Sequence, residues 1–108
     1  MTLNEYQAGA RRTAIYPEES RIIYPTLGLT GDAGEVADKV KKVIRDNSAT
    51  FDDERKRQIA LELGDVMWYA ATLANDLGYT LEEVCQMNLD KLASRMQRDK
   101  IHGSGDER

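Results

Sequence analysis

The sequence predicts an all-α domain built as a four-helix bundle. Three observations predict it. Apolar residues recur at helical spacing through long stretches of the chain. Two capping boxes, Thr2 with Glu5 and Thr80 with Glu83, mark helix starts. No segment carries the period-two alternation of a strand, and no internal repeat is visible.

The first helix is expected over residues 2–14, with Thr2 as its N-cap, and the Tyr16-Pro17-Glu18-Glu19 stretch breaks it. The second runs from Pro25 or Thr26 to Arg45. Its apolar stripe is Leu29, Ala33, Val36, Val40 and Val43 or Ile44, and Asp46-Asn47-Ser48 ends it. The third covers residues 52–77, with Asp52 and Asp53 at the end where the helix dipole favours acids, and Gly78 follows as a C′ glycine. The fourth starts after Thr80 and continues through Val84, Met87, Leu89, Leu92 and Met96. One domain over residues 1–101 is expected, with a flexible tail over 102–108 rich in glycine and polar residues.

Two features exceed a generic bundle. Gly28, Gly31 and Gly34 recur three apart on the second helix. Interior glycine costs about 1 kcal/mol relative to alanine, so their spacing predicts close approach of another backbone or a ligand. The third helix is apolar almost all round from Ile59 to Leu77, and such a helix belongs in the middle of something. Four short helices offer little middle. A homodimer or homotetramer is therefore expected, with burial inside one chain as the alternative.

Composition narrows the function classes. The net charge of −4 and the lack of a basic stripe argue against a nucleic-acid partner. Any phosphate ligand must then arrive through a metal or a local cluster of Lys and Arg. The single Cys85 excludes an internal disulfide and fits a reducing cytoplasm, where it is expected as a small core residue. The opening Met1-Thr2-Leu3-Asn4-Glu5-Tyr6 does not read as a signal peptide, and no apolar run is long enough to span a membrane. The lone His102 excludes a di-iron bundle, which needs a Glu-x-x-His on each of two helices.

The chemistry lies in two acidic pairs. Asp32 and Glu35 are three apart on the second helix, and Glu62 and Asp65 are three apart on the third. Residues three apart share a helix face. If the two helices pack, four carboxylates converge, and they need protons or cations. A hard divalent ion with oxygen ligands is the natural compensation. Taken alone, Asp32, Glu35 and Asp38 also read as a solvated face, with Lys39 and Lys42 placed to pair with Glu35 and Asp38. Glu62 and Asp65 are different. They sit among Leu61, Leu63, Val66 and Met67, and buried carboxylates are rare unless paired or metal-bound.

In these residues the sequence resembles the MazG-like all-α nucleoside triphosphate pyrophosphohydrolases. That family carries Glu-x-x-Glu on one helix and Glu-x-x-Asp on the next. Asp32-Ala33-Gly34-Glu35 and Glu62-Leu63-Gly64-Asp65 match, with 26 residues between Glu35 and Glu62. Leu29-Thr30-Gly31 before the first pair and Trp68-Tyr69 after the second fit as well, and the likeness covers roughly residues 20–100. The chain departs from the pattern at Asp32, where the family has Glu. Aspartate is one methylene shorter, and would reach an ion through a water or a small inward shift of its helix.

The resemblance implies Mg2+-dependent hydrolysis of a nucleoside or deoxynucleoside triphosphate to monophosphate and pyrophosphate, with Mn2+ as a substitute ion. It implies Asp32, Glu35, Glu62 and Asp65 as metal ligands. Glu35 or Asp38 would be the carboxylate that takes a proton from the attacking water. Asn88, Lys91 and Arg95 resemble the family's phosphate- or base-facing segment; a solvated helix end is the plainer reading. Tyr69 lies four after Asp65 on the acid face. Trp68 is either core or a wall against which a base stacks. Two other readings stand beside this one. The first is a related enzyme dedicated to phosphoribosyl-ATP or dUTP. The second is a non-enzymatic dimerisation module with acids as surface charge.

Overall fold

Each long helix but one begins where a side chain takes up its free N–H groups. In the computed structural model, which describes residues 1–108, helix α1 spans Leu3–Arg11, α2 Ile23–Asp46, α3 Asp53–Asp76 and α4 Leu81–Gln97. Both predicted capping boxes are present: Thr2 and Thr80 accept from the N–H groups of Glu5 and Glu83, and each glutamate reaches back to its N-cap N–H. Asp52 caps α3 by accepting from the Arg55 N–H at 2.9 Å. Gly78 sits at φ 86°, the left-handed conformation that closes a helix.

Two boundaries differ from the sequence reading. Helix α1 stops at Arg11 rather than residue 14, because the Thr13 hydroxyl takes the Ala10 carbonyl at 2.8 Å and itself accepts the Trp68 indole N–H at 2.7 Å. Helix α2 starts at Ile23, before Pro25. The proline lies in the first turn, where its missing N–H costs nothing. Between them runs a short 3₁₀ turn, Glu18–Ser20.

The arrival at α2 is held by one carboxylate. Asp76, at the end of α3 with its side chain fully shielded, accepts from the Ile22 N–H at 2.9 Å, the Tyr16 hydroxyl at 2.8 Å and Arg21 Nε at 3.4 Å. Ile22 sits at φ 70°, a conformation that β-branched residues avoid. Burial alone would push the Asp76 carboxyl up; the three hydrogen bonds win and hold it below the ordinary value.

The architecture is all-α with four helices and no strand. Helices α2 and α3 form a long antiparallel hairpin, and α1 and α4 pack on α3 and on each other. Their core is Ala10, Ala71 and Leu81, flanked by Tyr6, Trp68 and Cys85. Buried Gln7 ties the three helices together, donating to the Ala71 and Tyr79 carbonyls and accepting from the Leu81 N–H. Helix α3 is therefore central, as its apolar circumference predicts. The bundle is open, however. The Cα radius of gyration is 16.7 Å, where a compact chain of this length gives about 13 Å. Leu61, Leu63, Met87, Leu89 and Met96 are all exposed. No helix is long and apolar enough to cross a membrane.

Candidate functional site

Gly28 fixes how the two hairpin helices meet. It lets the Tyr69 ring lie directly on α2: a Cβ at residue 28 would stand 2.2 Å from Tyr69 Cε1. In an antiparallel pair, each step along one helix is a step back along the other. Four on from Gly28 and four back from Tyr69 are Asp32 and Asp65, which line one cleft together with Trp68 and Tyr69. Three further steps bring Glu35 opposite Glu62. The same register carries Lys39 opposite Gln58 and Lys42 opposite Arg55, which line the next cleft along the groove. It also holds at the far end, where Arg21 meets Asp76. The two acidic pairs are thus set in register on facing helices.

The side chains are less gathered than the backbone register. No three acidic, histidine or cysteine side chains stand close enough to share one ion. The expectation that Glu62 and Asp65 are buried is corrected: Glu62 is half-buried and Asp65 exposed, as are Leu61 and Leu63 beside them. The cause is the open bundle, in which α1 and α4 pack mainly toward the C-terminal half of α3. Gly31 and Gly34 face open space, so only Gly28 of the three glycines meets a neighbour.

Geometry separates the two candidate bases. Asp38 is clasped by Lys41 at 2.7 Å and Lys42 at 2.8 Å, and the two ammonium groups draw its carboxyl down to about 2. A carboxylate so stabilised accepts protons poorly. Glu35 is exposed and has no cation within ion-pair distance; the expected Lys39–Glu35 pair is not formed.

Aromatic rings line the other end of the groove. Trp68 meets Tyr69 edge-on at 4.9 Å between centroids, and Tyr24 lies 6.1 Å from Tyr69 and stacks on Tyr16 at 4.9 Å. The Tyr24 hydroxyl beside it, then burial, then the Asp32 and Asp65 charges raise the Tyr69 phenol. Trp68 serves both readings, since it packs against the core and also lines the acid cleft. Two residues escaped the sequence reading. Tyr24 had a signal, lying four before Gly28 on the same stripe as Asp32. Tyr6, raised by burial and by Asp65, had none, because nothing in the sequence says where α1 docks.

Asn88, Lys91 and Arg95 stand apart from this groove. Asn88 and Lys91 line a different cleft, on α4, that shares no residue with the acid cleft. Arg95 is buried rather than solvated, under the chain's own end. Its guanidinium donates to the Gly105 and Asp106 carbonyls, and the Asp106 carboxylate takes Lys91 at 2.8 Å. The tail 102–108, expected to be loose, is folded back onto α4. His102 is exposed, as expected.

An all-α hairpin with Asp-x-x-Glu on one helix and Glu-x-x-Asp on the facing one defines a class of helical proteins with carboxylates along the helix pair. The chain belongs to the MazG nucleotide pyrophosphohydrolase domain family, whose model matches residues 25–98. It is also 47% identical to the Gene 37 protein of Mycobacterium phage L5 over 114 aligned positions that cover all of both chains. No solved structure matches it.

Proposed function

We propose that the protein hydrolyses nucleoside or deoxynucleoside triphosphates to the monophosphate and pyrophosphate, using a divalent cation. Family membership supports the reaction class. The observation that carries the reading is the shared register of Asp32 with Asp65 and of Glu35 with Glu62. A magnesium-type ion fits this donor set: all four groups are hard carboxylate oxygens, with no sulfur or imidazole among them. The glutamates have the longer arms to swing inward, and α2 and α3 supply two donors each. Magnesium is the expected ion and manganese its substitute. When bound, such an ion neutralises phosphate charge and acidifies a coordinated water.

The chain's own residues do the rest. Glu35 accepts the proton of the attacking water through the carboxylate oxygen that the ion leaves free. The Tyr69, Trp68 and Tyr24 rings offer flat apolar faces to a nucleobase and shield one end of the groove from water. The exposed leucines and methionines of α3 and α4, on a bundle wider than its length predicts, support a homodimer or homotetramer. We also propose a cytoplasmic location, on the basis of the single free cysteine.

The test is product analysis. Purified protein with Mg2+ is given a panel of triphosphates that includes dUTP, with phosphoribosyl-ATP alongside. Pyrophosphate release is expected. Orthophosphate as the sole product, or no turnover of any member, overturns the reading.

A further inference from the structure

We infer that the hairpin groove binds its triphosphate in one direction, with the base at the aromatic end and the terminal phosphates on Lys39, Lys42 and Arg55. This rests on the function proposed above and adds a polarity and an anion subsite to it. The groove has three successive zones in one register. Tyr24, Trp68 and Tyr69 form the first; the second holds the acids, Asp32 and Asp65 in the cleft beside Tyr69 and Glu35 and Glu62 next along the helix register. The third is a cleft of about 180 Å3 lined by Lys39, Lys42 and Arg55, with Gln58 opposite Lys39. At 1.5 Å of rise per residue, the line from Gly28 to Lys39 is roughly 16 Å long, a span that suits an extended nucleotide.

Charge sets the direction. The third zone has three cations, and the one acid in its lining, Asp46, is held by Arg45 at 2.7 Å. Lys42 is engaged by Asp38 at 2.8 Å and Arg55 by Asp52 at 3.3 Å. Lys39 is half-buried and has no ion-pair partner. It is one turn beyond Glu35 on the same helix. An ammonium one turn from a carboxylate commonly pairs with it; Lys39 does not pair with Glu35 and is free to meet an incoming anion. At the aromatic end Arg21 is held by Glu18 and Asp76, and the unpaired Arg11 and Arg12 lie on α1, near Tyr16 and Trp68, outside the lining of the acid cleft. A polyphosphate running the other way would place its highest charge against tyrosine rings and leave Lys39 unused.

The experiment measures binding of inorganic pyrophosphate and of a nucleoside monophosphate, each with Mg2+, by calorimetry on the full chain. The variants are Lys39→Gln and, as the competing anion site, Lys91→Gln. The proposal expects Lys39→Gln to weaken pyrophosphate about tenfold, the cost of one charge-assisted contact, with monophosphate affinity unchanged and Lys91→Gln neutral for both. Loss of monophosphate but not pyrophosphate affinity in Lys39→Gln reverses the direction and overturns it. So does a pyrophosphate loss confined to Lys91→Gln. Circular dichroism confirms that each variant is folded. If the wild-type chain turns over triphosphates while Lys39→Gln binds pyrophosphate normally, this inference fails and the proposed function stands.

Discussion

The ring of Tyr69 occupies the space that a side chain at Gly28 would need, with Tyr69 Cε1 2.2 Å from the position of a Cβ there. This contact sets the register of α2 on α3, and with it the alignment of the acids. Gly28→Ala gains about 1 kcal/mol of helix propensity, but the ring is not the free end of a flexible chain, and overpacking of this kind costs typically 1–3 kcal/mol. The expected result is a net loss of stability, or a displaced Tyr69 and a misaligned groove with a fall in kcat/KM. Gly31→Ala, in open space, is expected to stabilise. Thermal melts and kinetics on the two variants check the contrast.

Glu35 and Asp38 are three residues apart and have opposite surroundings. Glu35→Gln is expected to lower kcat by 10²–10⁴, the range for loss of a general base. Asp38→Asn removes a carboxylate already held by two lysines and is expected to leave kcat near its wild-type value. Steady-state kinetics decide it, and equal losses in both variants would return Asp38 to candidacy.

Asp76 governs acid stability at the entry to α2. Its folded carboxyl is held low, so the stability it contributes is present above the unfolded value, about 3.9, and is lost as pH falls through the depressed folded value. Asp76→Asn removes that dependence and leaves the Ile22 and Tyr16 donors with weaker partners, at a cost of about 1–3 kcal/mol near neutral pH. Urea melts from pH 7 downward are expected to show the variant converging on the wild type in acid. A constant gap at all pH values would contradict the assignment.

The exposed apolar faces of α3 and α4 predict self-association. Sedimentation equilibrium is expected to give at least twice the chain mass of 12.2 kDa. Leu89→Glu, on the exposed face of α4, is expected to shift the balance toward monomer. A wild-type monomer at assay concentration contradicts the oligomer.

How much of this was legible in the sequence follows from the range of the interactions involved. Helix starts were readable because Thr2 with Glu5 and Thr80 with Glu83 act within one turn. The α2 start was misread because Pro25 marks a first turn as readily as a boundary, and because Asp76, far along the chain, holds Ile22 in place. The acid pairs were readable from i,i+3 spacing alone. Their exposure was not, since it depends on where α1 and α4 dock, and Gln7 reaching Ala71 and Leu81 leaves no local trace. The tail's contacts with Lys91 and Arg95 leave no local trace either: composition speaks only to its freedom, while those contacts come from the fold.

The most direct test of the acid cradle is a Mn2+ titration followed by electron paramagnetic resonance, on the wild type and on Glu62→Gln. The wild type is expected to bind Mn2+, and Glu62→Gln to weaken that binding at least tenfold with unchanged helical circular dichroism. Equal Mn2+ affinity in the two proteins would contradict a shared cation site between α2 and α3.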